Sequence, residues 1–529
     1  MNILTSKQIV ELEQRAVVGG TSLSTLMWRA GEAVSHAALE LLGLRSVEET
    51  DRNNGLEIRN TQVQEEIHAG KPVHVVILCG KGNNGGDGFV CGELLSKQGL
   101  SVTVILALGP PVAAQAAEAF GKLGDGVTVL EAAQREPCQK ALAAGDLIID
   151  AIFGFHFSGT VHGDPEWLIS YANRQSCRKL AIDIPSGVEC DTATVSGTVF
   201  RAEYTVSFHA QKPANLSFPG REFSGKTIVK SLGVSSLLPK ETGIIATDAP
   251  YVRKYLPKRK ITGNKGDFGK LLLICGSYGM AGACILAARA ALRSGIGLLY
   301  ILLDYGIYPI VSTSVPEAVC IPVDMEFEHE LAIQVKGALE KCTACVLGCG
   351  LGVNRDTLCE IVLSNCTVPL VIDADGLNVI ASHPEYASRL SGQTVLTPHP
   401  GEFSRMIDTP IQKIQRKRLF YATQAAKELD SVLLLKGAGT VTVSPDGRTA
   451  INPTGNDGMA KGGSGDALSG MIGAFLAQGV SAYESAVMGA YLHGAAGDFA
   501  AEQFSRYAML PSDLIAAIPT VFTRLLAGS

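Results

Sequence analysis

Two glycine-rich segments that end in aspartate carry the residue types from which phosphate and proton chemistry can be built. The first, Gly80-Lys81-Gly82-Asn83-Asn84-Gly85-Gly86-Asp87-Gly88, follows the apolar run Val73–Leu78 and Cys79. The second, Gly458-Met459-Ala460-Lys461-Gly462-Gly463-Ser464-Gly465-Asp466, opens the apolar stretch Ala467–Leu476. Glycine lets a bound group come close to the backbone, and the free N–H groups at a helix start attract phosphate oxygens. Asp466 places a carboxylate beside such an anion site. Phosphoryl transfer to a hydroxyl needs that pair: a base for the hydroxyl proton and a hold on the charge of the transferring group. In the first segment Gly80, Gly82 and Gly85 fit G-x-G-x-x-G. Ser101–Leu108, however, lacks the acid that would hold a dinucleotide ribose. Asn83, Asn84 and Asp87 instead offer amide and carboxylate oxygens suited to a hard cation or a polar substrate.

Two more aspartates close strand-like runs: Asp150 in Ile149-Asp150-Ala151-Ile152-Phe153-Gly154, and Asp183 in Asp183-Ile184-Pro185-Ser186-Gly187-Val188. Open α/β sheets bind ligands at such strand ends, although an aspartate there can also serve as a helix cap. With Asn83–Asp87 they predict one site at one sheet edge.

The elements that must position these residues alternate. Strands are expected at Val73–Leu78, Ser101–Leu106, Leu147–Asp150, Leu180–Ile184 and Tyr204–Phe208, with helical stretches between. A second series is expected at Lys270–Cys275, Leu298–Leu303, Ala344–Gly348, Pro369–Asp373, Thr394–Leu396, Ser431–Leu435 and Thr440–Ser444. Alternation of this kind predicts α/β folds with parallel sheets covered on both faces. Thr5 and Gln8 predict a capping box on the first helix, with Leu4 stapled onto Ile9. Residues 46–71 have no sustained apolar period and read as a solvated insertion. Pro239, Pro250, Pro257 and the run Lys258-Arg259-Lys260 mark a break. The expected division is therefore a domain over 1–235, a linker over 236–262 and a second domain over 263–529.

A chain of 529 residues exceeds one core, and 46% hydrophobic with 18% charged residues describes a globular protein. A net charge of −6 without a basic block argues against nucleic acid or a membrane surface as partner. Neither a signal pattern at Met1–Gln8 nor an apolar run of about 20 residues occurs, which points to the cytoplasm. Thirteen cysteines, an odd number, are expected as reduced thiols, with Cys342, Cys345 and Cys349 as small buried residues. Alanine- and glycine-rich helix faces predict a homo-oligomer.

The first half resembles the NAD(P)H-hydrate epimerase family, the YjeF N-terminal domain. The resemblance rests on the Leu4-Thr5 helix start, Leu26-Met27 with Ala30-Gly31, Asn83-Asn84-Gly85-Gly86-Asp87-Gly88, Asp150 with its glycine loop, and Asp183-Ile184-Pro185-Ser186-Gly187. It implies a Rossmann-like, doubly wound sheet and a potassium ion at Asn84, Asp150 and Ser186. It places the hydrated nucleotide along Asn83, Asn84, Gly85, Gly86 and Asp87, along Gly154, Phe155, His156, Phe157, Ser158, Gly159 and Thr160, and at Asp183. Asp183 is then the leading acid/base residue for epimerisation at C6. Ser158 stands where some relatives carry a catalytic lysine, so no lysine is expected there.

The second half resembles the ADP- or ATP-dependent NAD(P)H-hydrate dehydratases, the YjeF C-terminal domain, with a ribokinase-like α/β fold. The ordered set includes Gly348-Cys349-Gly350-Leu351-Gly352, Asp373-Ala374-Asp375-Gly376, Thr397-Pro398-His399-Pro400-Gly401-Glu402, Lys436-Gly437-Ala438-Gly439-Thr440 and the loop ending in Asp466. By resemblance the hydrate contacts Ala283, Gly350, His399 and Asp466. The adenine nucleotide lies along Lys436, Gly437, Ala438, Gly439 and Thr440 and at Gly465. Magnesium is implied on the donor phosphates, and the fused arrangement favours ADP as donor. NADHX and NADPHX (the hydrates of NADH and NADPH) are the implied substrates, with S-NAD(P)HX returned to NAD(P)H as ADP becomes AMP and phosphate. A vitamin-type kinase fused to a non-catalytic nucleotide-binding domain is the other reading.

Overall fold

A computed structural model describes residues 2–44, 73–239 and 241–527, so the expected insertion at 46–71 lies outside the described residues. The chain divides into two compact units, Asn2–Thr242 and Gly243–Ser529.

The strands of the first unit are β1 (His74–Cys79), β2 (Ser101–Leu106), β3 (Val127–Glu131), β4 (Leu147–Ala151), β5 (Arg178–Ile182), β6 (Tyr204–Phe208) and β7 (Lys226–Lys230). They form one sheet in the order β3-β2-β1-β4-β5-β6-β7, parallel throughout. Both faces are covered, which is why these strands are near-continuous apolar runs. Val75 and Ile77 pack with Leu12, Leu26, Val34 and Phe89 of the helices Ser6–Val18, Leu23–Leu41 and Asn83–Lys97. Val76 and Leu78 face Leu142 and Leu168 on the opposite side. The capping box is formed: Gln8 N donates to Thr5 Oγ1 and Thr5 N to the Gln8 side chain. Leu4 and Ile9 are both buried beneath it. Strand order reverses between β1 and β4, so the loops after them open a crevice.

The second unit holds β8 (Ile244–Ala246), β9 (Lys270–Ile274), β10 (Leu298–Asp304), β11 (Val319–Val323), β12 (Ala344–Leu347), β13 (Leu370–Ile372), β14 (Thr394–Leu396), β15 (Val432–Leu435), β16 (Val441–Val443) and β17 (Thr449–Ile451). Their order is β11-β10-β9-β12-β13-β14-β15-β16-β17-β8. The strands from β11 to β15 are parallel, and β16 runs antiparallel to both neighbours. The switch point here lies between β9 and β12.

The segment expected as a linker is built differently. Residues 244–246 pair in parallel with β17, and a helix Ala249–Tyr255 follows, capped by Asp248. Pro250 lies in the first turn of that helix, where the missing N–H costs nothing, so it starts structure instead of breaking it.

The small residues behind the expected self-association have a use inside the unit. A Cβ on Gly470 of the helix Ser464–Ala477 would lie 2.1 Å from the Ala287 carbonyl oxygen, and one on Gly489 would lie 2.6 Å from Ile472. They permit close helix packing, and composition alone therefore makes no case for an oligomer. All thirteen cysteines are free thiols, and Cys345 and Cys349 are fully buried. Among the described residues no helix is long and apolar enough to cross a membrane.

Candidate active sites

In the first unit the β1 loop turns because its glycines admit backbone. A Cβ on Gly80 would lie 2.0 Å from the Ile152 carbonyl oxygen, and one on Gly85 would lie 2.0 Å from the Gly80 carbonyl oxygen. Gly85→Ala is therefore expected to destabilise the first unit by about 1–3 kcal/mol. Thermal unfolding measures this, and an unchanged midpoint would contradict it.

The loop delivers Asn83 and Asn84 to the start of the helix Asn83–Lys97, whose first amides have no side-chain cap. Asn84 Nδ2 donates to the Phe153 carbonyl at 3.0 Å. Asp150 lies fully buried beneath, accepting from Ser186 N at 2.7 Å, Ser186 Oγ at 2.7 Å and Ile152 N at 3.2 Å. Burial pushes the Asp150 carboxyl up to about 6, against these hydrogen bonds. Phe153 N donates to Ser186 Oγ at 2.9 Å. Asn84, Asp150 and Ser186 thus gather around the Phe153 backbone, and their hard oxygens suit a potassium ion.

Above them is a cavity of about 650 Å³. Asn83, Asn84, Asp87 and Asp183 line it, as do Gly154, Phe155, His156, Phe157, Ser158 and Thr160. Gly85 and Gly86 are buried in the helix instead, where a Cβ on Gly86 would strike the Met27 side chain. Gly159 adopts a left-handed backbone with φ 90°.

Asp183 holds a left-handed backbone, φ 64°, which turns the chain at the end of β5. Its Oδ1 accepts from Phe208 N at 3.2 Å and forms an ion pair with Lys212 Nζ. Lys212 also donates to the Phe208 carbonyl at 2.8 Å and Ser207 Oγ at 3.0 Å. Only 1% of the lysine side chain and 5% of the aspartate's is exposed. Sequence reasoning missed this lysine. Its one cue is a basic residue directly before Pro213, just past a strand end. Glu13 and His209 also line the cavity. Burial, then the charge of Asp183, pushes Glu13 up to about 7 against the pull of Lys212. Burial, Asp183 and Glu13 hold Asp87 well above the carboxylate range. Burial and Lys212 press His209 down to about 4, keeping it neutral.

In the second unit Asp466 is the third residue of the helix Ser464–Ala477, behind Gly463 at φ 97°. Burial and the nearby Asp373 push its carboxyl up to about 6, opposed by the Cys349 thiol and Lys436. Asp373, just past β13, accepts from Lys436 Nζ at 2.7 Å and Ser469 Oγ at 2.7 Å. Lys436 Nζ also lies 3.9 Å from Glu402. Burial opposes its charge, but Asp373 and Glu402 outweigh that and raise its pKa. A Cβ on Gly465 would sit 3.2 Å from Lys436 Nζ. Lys436, Gly465 and Asp466 are thus brought together by Asp373, a residue whose role the sequence did not assign.

Gly350 has φ 63°, and a Cβ there would come 2.7 Å from Ala283 Cβ, so these two lie side by side. Ser277 Oγ holds the Gly350 carbonyl at 3.0 Å. His399 caps the helix Pro400–Met406, its Nδ1 accepting from Gly401 N and Glu402 N at 3.0 and 3.2 Å, and its outer edge stays exposed. Gly437 has φ 143° and Gly439 φ 61°, which turns the chain around Ala438, and Thr440 Oγ1 donates to the Gly437 carbonyl at 2.9 Å. Beneath this loop the buried Arg418 donates to the Leu435 and Lys436 carbonyls at 3.1 and 3.2 Å.

Residues 271–520 match the family model described as NAD(P)H-hydrate dehydratase, and residues 23–214 match the YjeF-related protein N-terminus. The bifunctional NAD(P)H-hydrate repair enzyme of Moorella thermoacetica is 37% identical over 92% of each chain. That of Leishmania braziliensis is 30% identical over 85% of each. Among solved structures, the ADP/ATP-dependent NAD(P)H-hydrate dehydratase of Bacillus subtilis, co-crystallised with ATP/Mg2+, is 31% identical. It covers 54% of this chain and 100% of its own, with a TM-score of 0.46.

Proposed function

We infer the reaction from one premise, that this chain belongs to the bifunctional NAD(P)H-hydrate repair enzymes. The first unit interconverts R- and S-NAD(P)HX, and the second dehydrates S-NAD(P)HX to NAD(P)H. The observation that best supports the second step is Asp466 at a helix start, next to the Lys436–Asp373 pair.

Asp466, ionised at neutral pH, takes the proton of the C6 hydroxyl as that oxygen attacks the terminal phosphorus of the donor. The adjacent helix N-terminus and Lys436 stabilise charge on the transferring group. Phosphate then leaves C6 and a proton leaves C5, which restores the ring double bond. Gly350 and Ala283 leave room for the hydrate, and the Lys436–Thr440 loop is the proposed seat of the nucleotide. Magnesium carried by the donor phosphates supplies charge neutralisation. Asp375 and Glu402 add carboxylate oxygens close by, donors that suit this ion.

In the first unit Asp183 is the proposed acid/base residue, held in place by Lys212. Asn84, Asp150 and Ser186 are the proposed potassium ligands, a role that fits their oxygen chemistry. The ion would supply a fixed positive charge at the head of the cavity.

We propose ADP as the donor. Its support is the fusion of the two halves in one chain, and the experiment decides between ADP and ATP. S-NADHX is incubated with ADP or with ATP, and nucleotide, phosphate and reduced ring are measured together. The expected result is AMP and phosphate released one for one with NADH. A stable phosphorylated hydrate and no NADH would favour the vitamin-type kinase, a reading not favoured by repair-enzyme relatives that match across both units.

A further inference from the structure

We propose that Glu13 is the acid that releases the C6 hydroxyl of the hydrate in the first unit, with Asp183 as its basic counterpart. The proposal rests on the epimerase reading above. The helix Ser6–Val18 is tied to the segments around the Asp183–Lys212 pair. Ile3 bridges to Gln211, Leu4 N donates to the Gln211 carbonyl at 3.1 Å, and Ser6 N donates to Asp191 at 2.7 Å. Ile9, Leu12 and Ala16 bury one face of this helix, and Glu13 lines the cavity together with Asp183 and Lys212. The Glu13 side chain makes no hydrogen bond or ion pair among the described residues. A half-buried carboxyl with no structural partner, held at the wall of a substrate cavity, is free to exchange a proton with whatever enters.

The other charged and titratable groups around the cavity are Lys81, Asp87, His156, Asp183, His209 and Lys212. They differ from Glu13 in their commitments. Asp183 is ion-paired to Lys212, and His209 is held neutral by burial and by that lysine. Asp87 is held well above the carboxylate range, which suits a hydrogen-bond donor more than a group that cycles. Glu13, pushed up to about 7, divides its population between acid and base at working pH, the condition that favours proton transfer.

The step balances without a further reactant. Glu13 gives its proton to the C6 hydroxyl, the C6–O bond breaks, water leaves, and the N1 lone pair forms the N1=C6 iminium. Water then adds to C6, its proton passing to Asp183, and the C6–O bond re-forms with either configuration. Return of that proton to Glu13 closes the cycle. The two carboxyls come from different elements, a helix and a strand end, so departure and addition need not share one group.

The full chain is assayed for R-NADHX to S-NADHX conversion across pH, alongside Glu13→Gln and Glu13→Asp. For the native chain, kcat/KM is expected to fall as pH rises through about 7, because only the protonated acid is active. Glu13→Gln is expected to lose roughly 100-fold or more and to lose that alkaline limb. Glu13→Asp retains a carboxyl and is expected to keep the limb at a reduced rate. A Gln variant with native rate and native limb overturns the proposal, as does an active Asp variant without the limb. A native chain that does not interconvert the epimers would overturn the epimerase reading itself, and this proposal with it.

Discussion

Asp466→Asn is expected to slow ADP-dependent dehydration of S-NADHX by roughly 10²–10⁴-fold, the range a positioned general base supplies. The expectation follows from where the carboxyl sits. It is largely withdrawn from water at a helix start, and burial together with Asp373 raises it to about 6. Only its ionised form can accept the hydroxyl proton. Native activity is therefore expected to be full above pH 7 and to decline as pH falls through about 6. The same shift has a consequence for stability. A carboxyl raised in the fold binds its proton more tightly folded than unfolded, so its charge at neutral pH opposes folding. Asparagine removes that charge, and the variant is expected to unfold at a higher temperature while losing activity. Rate profiles and thermal melts of the two proteins check both signs.

Lys212→Met is expected to abolish epimerisation and to destabilise the first unit by about 3–5 kcal/mol. That is the usual cost of leaving one member of a buried ion pair without its partner. With both side chains almost entirely enclosed, Asp183 would either carry an uncompensated charge or take up a proton. A Lys212→Met, Asp183→Asn double variant is expected to regain most of the stability and none of the activity. Recovery of stability without activity would separate the pair's structural role from its chemical one. Denaturant unfolding followed by an R-to-S assay measures both.

Much of both sites was legible because their loops are glycine-rich and polar at the ends of apolar strands. Gly80 and Gly85 are required by backbone approach, and such a requirement leaves a mark in the sequence. The aspartates at the ends of β4 and β5 were visible for the same reason. Lys212 was not: nothing local distinguishes it from a surface lysine, and its meaning comes from a partner 29 residues earlier. Asp373 was quoted only as part of a motif, since its bonds reach Lys436 and Ser469, 63 and 96 residues away. Glu13 was not singled out, because its setting comes from a cavity whose other walls lie far along the chain. In the fold, β3, β7, β8, β11 and β17 went unforeseen. Three residues suffice for β8 and β17, and β3, β7 and β11 are sheet edges with mixed exposure, where the apolar signal is weak. Pro250 read as a break because its use at a helix start depends on the Asp248 cap.

A mixture of R- and S-NADHX, given to the 529-residue chain with and without ADP while reduced-ring absorbance is followed, asks whether one polypeptide performs both steps. Complete return of the mixture to NADH, dependent on ADP, is the expected result. Conversion that stops when the S form is exhausted would contradict an active first unit, and no conversion at all would contradict the dehydratase.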